Sequence, residues 1–219
     1  MIRSLLFGIL LCLAALSMQA QNLATGYIVT HSGDTLSGNV HLKTRSEGSA
    51  YISVVEQAAS PAKTYPLNQV KGYRLSNSKD VYQKWYVKMD MTYLDKWDLT
   101  ITNVDSTRWD SVFLRLLYKG KSLSMYDRLD VKQRYFIYDN ERMQELILKY
   151  SYPPDFRLPT YEFLARAERR QILAIYRDQL LIYVNQLRNN ETLGYKTSVA
   201  RYNEKDIKKI IMALDERLK

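Results

Sequence analysis

His31-Ser32-Gly33-Asp34 places an imidazole, a hydroxyl and a carboxylate within four positions. Those are the three side chains of a nucleophilic triad, which works only when they converge through hydrogen bonds, usually from distant segments. Adjacent residues of a strand project to opposite faces, so His31 and Ser32 diverge. Turn chemistry accounts for the same letters. His31 and His41 are the only histidines, and the hairpin register argued below sends them to opposite faces. That removes the obvious two-histidine metal pair, and no metal or cofactor site is expected.

Lys119-Gly120-Lys121-Ser122 has the tail of a phosphate-binding loop. The first glycine of that motif falls on Arg115, and an alternating strand follows where the motif needs a helix. A hairpin turn is expected.

Asp90, Asp95, Asp98, Asp105 and Asp110 lie among Trp85, Trp97 and Trp109. Carboxylates beside aromatic rings suit glycoside cleavage or sugar binding. The spacing brings no two carboxylates to a working separation, so binding is favoured over cleavage. The binding candidates are Trp85, Trp97, Trp109, Asp95 and Asp98. Arg166, Arg169, Arg170 and Arg177 form a second candidate surface, one for anionic lipid or lipopolysaccharide. Glu162, Glu168 and Asp178 interleave with them, as on a solvated helix face.

The elements that would position these residues are mostly strands. Residues 26–42 read as a hairpin. A two-residue loop at Gly33-Asp34 pairs His31 with Leu36, Val29 with Gly38 and Tyr27 with Val40. Tyr27, Val29, Leu36, Val40 and Leu42 then form an apolar face. Further strands are expected at 51–55, 70–75, 81–91, 97–104, 109–118, 123–126, 134–138 and 143–150. Residues 58–66 form a loop or a blunted edge. On 81–91, Trp85, Val87 and Met89 take one side, with Tyr82, Tyr86 and Lys88 elsewhere. About nine strands at roughly 8–12-residue spacing imply a twisted sheet, a sandwich or an incomplete barrel.

Pro153, Pro154 and Pro159 interrupt the pattern. Beyond them, Ile172, Tyr176, Leu180, Tyr183 and Leu187 make a helical stripe within residues 162–188. Ile207, Ile210, Ile211, Leu214 and Leu218 make a second stripe within 204–218. Asn203 is its N-cap, with Asp206 reaching back. The connection of about fifteen residues is long enough to hold structure of its own. A stripe stabilises the fold only when covered, so both helices are expected to lie against the sheet.

Residues 1–20 read as a secretory signal: Arg3, then an apolar run from Leu5 to Leu16 that is short for a membrane span. Cleavage is placed after Ala20, with Ser17 as the alternative. Cys12 is the only cysteine and lies inside that run. The mature chain therefore has no disulfide and no thiolate chemistry. The formal charge of +9 falls by one with Arg3. Such an excess suits acidic glycans or lipid, and export argues against nucleic acid.

Gly26 to Val29, Gly33 to Gly38, Val112 to Leu123, Tyr135 to Tyr138 and Glu145 to Ile147 together resemble a group of exported Bacteroidota proteins of uncharacterised function. The resemblance implies a signal peptide, a β-rich body opened by a Gly-Asp-Thr hairpin, a helical end and an envelope location. It implies no catalytic residues.

The expected fold is α+β. A signal peptide (1–20) precedes an antiparallel β-rich domain (21–152), a Pro-rich linker (153–160) and a helical pair (161–219) docked on the sheet. The expected protein is an exported, periplasmic or outer-membrane-associated binding module for a protein, peptide or glycan. It has no transmembrane segment in the mature chain and is not an enzyme. Two alternatives stand beside it: a glycan-acting hydrolase using the Asp90–Asp110 region, and a binder of anionic lipid.

Overall fold

The computed structural model describes residues 24–43, 51–55, 61, 63–76, 78–94, 101–102, 106–130, 132–151, 171–188 and 190–218. The chain divides into two compact units, one up to Val81 and one from Tyr82 onward.

In the first unit, strands β1 (Ala24–Thr30), β2 (Thr35–Lys43), β3 (Tyr51–Val55), β4 (Lys63–Pro66) and β5 (Val70–Leu75) form an antiparallel sheet in the order β5-β1-β2-β3-β4. A single 3₁₀ turn, Leu67–Gln69, joins β4 to β5. β4, which carries Pro66, is the edge strand, where a residue without an N–H is tolerated.

The β1–β2 hairpin exists, but its register corrects the expected one. Ile28 lies opposite Leu36 and Val29 opposite Thr35. The Gly33 N–H donates to the Thr30 carbonyl at 3.1 Å and the Thr30 N–H to the Asp34 carbonyl at 2.9 Å. Gly33 takes a φ of +96°. This is a three-residue loop, a tight turn followed by one left-handed residue, instead of the expected two-residue loop. The change inverts the faces of β1. Gly26, Ile28 and Thr30 are buried, while Tyr27 and Val29 are only half-buried.

In the second unit, β6 (Val81–Asp90) begins at the boundary. A short ribbon, β7 (Tyr93–Leu94) with β8 (Ile101–Thr102), precedes β9 (Thr107–Lys119), β10 (Ser124–Leu129), β11 (Gln133–Tyr138) and β12 (Met143–Leu146). The sheet order is β6-β9-β10-β11-β12, all antiparallel. A second ribbon, β13 (Lys149–Ser151) with β14 (Gln171–Leu173), leads to helices α1 (Ile175–Val184), α2 (Glu191–Ser198) and α3 (Glu204–Asp215). The architecture is thus a β-rich antiparallel body with C-terminal helices. The sheet stays open and does not close into a barrel.

The expected helix over 162–188 is corrected where it can be seen. Residues 171–173 are strand, Ile172 is 56% exposed, and the helix starts at Ile175. Pairing with β13 overrides the helical period at that end. From Tyr176 on the stripe holds: Tyr176, Leu180 and Tyr183 are buried against Leu123, Met125, Tyr135 and Ile137 of the sheet. The long connection contains α2, which makes the helical pair a trio among the described residues. On α3, Ile207, Ile210, Ile211 and Leu214 join the same core. Each such side chain contributes about 1.5–3 kcal/mol by leaving water. Asn203 caps α3, its side-chain oxygen accepting from the Asp206 N–H at 2.8 Å. Asp206 reaches two residues further back than the expected Asn203 N–H and accepts from the Arg201 N–H at 3.2 Å.

Edge strand β12 is covered. Gln179 on α1 donates to the Glu145 carbonyl at 2.9 Å and accepts from the Ile147 N–H at 2.8 Å. The Tyr202 hydroxyl donates to the Leu146 carbonyl at 2.7 Å. Gln179 thus satisfies edge groups that would otherwise invite another strand, while the Tyr202 hydroxyl, which also accepts from the Tyr135 N–H at 3.3 Å, bridges β11 to β12.

Candidate functional site

The triad letters do not assemble. Ser32 Oγ donates to Asp34 Oδ2 at 2.6 Å and lies 2.7 Å from Thr30 Oγ. Among the described residues, no hydrogen bond joins the His31 imidazole to Ser32. These residues line a shallow depression of about 600 Å³ with Tyr65, Asn68 and Gln69. Thr30, Ser32 and Asp34 bond to one another there, and among the described residues no base is hydrogen-bonded to Ser32 in the manner of a triad. His31 sits in the loop and β2 carries His41. The opposite-face argument rested on the register now corrected.

The phosphate-loop letters have a more informative outcome. Residues 120–123 turn β9 into β10, and their N–H groups do converge on an anion. That anion is the chain's own Asp215, at the end of α3. Its Oδ1 accepts from the Ser122 and Leu123 N–H groups, both at 2.7 Å. Its Oδ2 accepts from the Lys121 N–H at 3.1 Å and the Tyr118 hydroxyl at 2.9 Å. Burial pushes the Asp215 carboxyl up, but the Leu123 and Ser122 N–H groups, the Tyr118 hydroxyl and the Lys121 N–H outweigh it. They hold it below the usual carboxylate range. A successive run of N–H groups makes an anion-binding concavity, and here that concavity is filled from within.

Of the aspartates, Asp90 and Asp110 are described, and both are committed. Asp90 is buried and pairs with the Lys132 ammonium at 2.7 Å. It belongs to a buried network centred on Arg134, which is 1% exposed. Arg134 Nη1 donates to Glu145 Oε1 at 2.7 Å and to the Asp90 carbonyl at 2.6 Å, and its Nε donates to Asp130 at 3.1 Å. The second Glu145 oxygen accepts from the Asp90 N–H at 2.6 Å. Burial holds the Glu145 carboxyl above its ordinary range, while Arg134 and the Asp90 N–H pull the other way. Both Glu145 oxygens are occupied, so the network is a clasp between β6, β11 and β12 and not an acid/base site. Asp110 pairs with Arg108 at 2.8 Å and accepts from the Ser111 N–H at 2.8 Å. Asp95, Asp98, Asp105 and Trp97 lie outside the described residues.

The two described tryptophans differ. Trp85 packs into the core against Tyr126 and Tyr138, at ring separations of 5.6 and 4.8 Å. Its indole N–H is buried with no partner among the described residues. Trp85, one of the binding candidates, is thus half-buried in core packing. Trp109 is 56% exposed and stacks on Tyr86, itself 67% exposed, at 5.2 Å and 21°. The register puts Lys88 opposite Trp109 and Ser111 opposite Tyr86, and both are exposed. Pairing and alternation set Tyr82, Lys84, Tyr86 and Lys88 on the same face as Arg115, Phe113, Ser111 and Trp109. Arg115 bonds Asp127 and lies 3.8 Å from Glu204, the first residue of α3. This row therefore runs out from beneath the helices and ends in an exposed pair of rings. Alternation along 81–91 already sets Tyr86 apart from the core. Its meeting with Trp109 depends on the β6–β9 pairing, which the sequence does not announce.

Arg177, one of the anionic-surface candidates, is half-buried and partly engaged within the fold. Its Nε and Nη2 donate to the Ala200 carbonyl at 3.0 and 2.8 Å, which ties α1 to the end of α2. Arg166, Arg169 and Arg170 lie outside the described residues. The cations that do gather are Lys196 on α2, Arg201 in the connection, Lys209 on α3 and Arg217 just beyond it, and they line one groove. Lys209 is a cation the sequence also offers for a lipid-facing surface, whereas Lys196, Arg201 and Arg217 come from separate segments that only the fold brings together. No described helix is long and apolar enough to cross a membrane. No protein-family model matches the sequence, and neither a curated protein nor a solved structure matches it.

Proposed function

We propose that this protein is an exported, non-enzymatic binding module of the cell envelope, and that it takes a glycan on the Tyr86–Trp109 pair. The observation that carries the reading is the exposure of two stacked rings on an ordered sheet. Large aromatic side chains left in water contribute strongly once a partner covers them. A cross-strand pair is rigid, so it loses little conformational freedom on binding. Ser111 and Lys88 stand beside the rings and supply hydrogen-bonding groups for hydroxyls. Asp90 and Asp110, the two described aspartates of the Asp90–Asp110 region, are both held in ion pairs. Export rests on the charged and apolar first twenty residues.

The test is retention of the mature chain on insoluble envelope polysaccharide. Trp109→Ala lowers retention about tenfold or more, since truncating a central ring costs about 2 kcal/mol. Thermal unfolding stays within a degree or two, because the ring is on the surface. Equal retention of the variant, or no retention of the wild type, overturns the reading.

A further inference from the structure

We propose that the groove between α2 and α3 is a second binding surface, one that seats the headgroups of anionic phospholipid at a bilayer. The groove holds about 470 Å³, within the range of ligand sites. Its floor is apolar: Leu193, Ile210 and Ala213. Val199 lines it and is 53% exposed. Lys196, Arg201, Lys209 and Arg217 surround that floor, and Asp206 is the single acid. Asp206 is already engaged, accepting from the Arg201 N–H and lying 3.8 Å from its Nε. Four cations against one committed carboxylate give the groove a strong positive excess.

The occupant follows from that combination. A free phosphate would use the cations and leave the apolar floor and Val199 uncovered. An uncharged chain would leave four cations unanswered. An anionic headgroup above its acyl region answers both, with the exposed Val199 entering the interfacial layer. Fixed cations near an anionic surface attract it across about a Debye length, so binding depends on salt.

The experiment is co-sedimentation of the full mature chain with phosphatidylglycerol vesicles and with phosphatidylcholine vesicles. Binding to the first only, falling about tenfold or more in Lys209→Glu/Arg217→Glu and in high salt, supports the proposal. A several-fold loss in Val199→Ser supports the apolar component. Lys209→Gln/Arg217→Gln serves as the gentler variant, and helical circular dichroism checks that α3 is retained. Equal binding to both vesicle types, or unchanged binding of the charge variants, overturns it. So does complete displacement by millimolar inorganic phosphate, which would mark a soluble-anion site. So does capture of an acidic peptide without vesicle binding. Trp109→Ala leaves vesicle binding unchanged, which keeps this surface separable from the glycan platform.

Discussion

Two turns in this molecule look like chemistry in the sequence, and they are built on different principles. The turn at 30–34 closes largely on itself, with one outside bond from the His31 N–H to the Gln69 carbonyl at 3.0 Å. Thr30, Ser32 and Asp34 exchange hydrogen bonds within five residues, and the loop stands in water. The turn at 120–123 is incomplete alone. Three of its N–H groups are satisfied only by Asp215, more than ninety residues later. A local turn specifies a bend, whereas a turn that needs a distant carboxylate specifies where a helix ends. The second also shows how a phosphate-like motif can be structural: the anion it binds belongs to the fold.

If that contrast is right, the two turns break at different cost. Asp215→Ala destabilises the second unit by about 3 kcal/mol, because charge-assisted hydrogen bonds are lost and backbone donors are stranded. Chemical denaturation measures it, and a cost no greater than that of Asp34→Ala erases the distinction. The loss also has a pH signature. Against the opposing effect of burial, the N–H and hydroxyl donors hold the folded-state carboxyl of Asp215 below the ordinary carboxylate range. Its contribution is therefore complete above the unfolded value and fades as pH falls through the folded one. The gap between wild type and Asp215→Asn should be full at neutral pH and close under strong acid. A gap that widens on acidification would reverse the assignment.

Gly120→Ala comes next, at about 2 kcal/mol. A Cβ at 120 collides with the Asp215 carboxylate and the Leu123 carbonyl, so the latch must shift. Gly33→Ala costs about 1 kcal/mol for a different reason. Nothing lies near a Cβ there, and the penalty is the positive φ alone. Melting temperatures of the two alanine variants in one buffer order them, and equal shifts would mean that Gly120 too acts through backbone conformation. The smallest effect is expected for Asp34→Ala, about 0.5 kcal/mol, since its hydroxyl partner is exposed and water replaces it.

Much of the fold was legible because it is periodic. The strands at 51–55 and 70–75 fall where alternation puts them. The α3 stripe and its Asn203 cap were readable because a cap and an amphipathic face are local properties. The failures share one cause. The β1 faces inverted because one extra loop residue changes which side chains are opposed, and composition does not count loop residues. Ile172 left its helical stripe because β13 offered a partner strand. Of the candidate sites, Trp109 was identifiable as an aromatic on a strand, but its partner Tyr86 depends on β6–β9 pairing. The cationic groove was only partly legible, since its charges come from α2, its connection to α3, α3 itself and Arg217 just beyond it.

The sequence alone determined the kinds of element, their rough bounds, the absence of thiol chemistry after residue 12 and a strong positive charge. Those follow from composition and from periods of two or about 3.6 residues, which a single segment carries within itself. Only the tertiary structure decided which anion fills the 120–123 turn, which tryptophan meets water and where the cations collect. Each of those outcomes is a meeting of distant segments, and a chain's local period records which way a residue faces without recording what it faces.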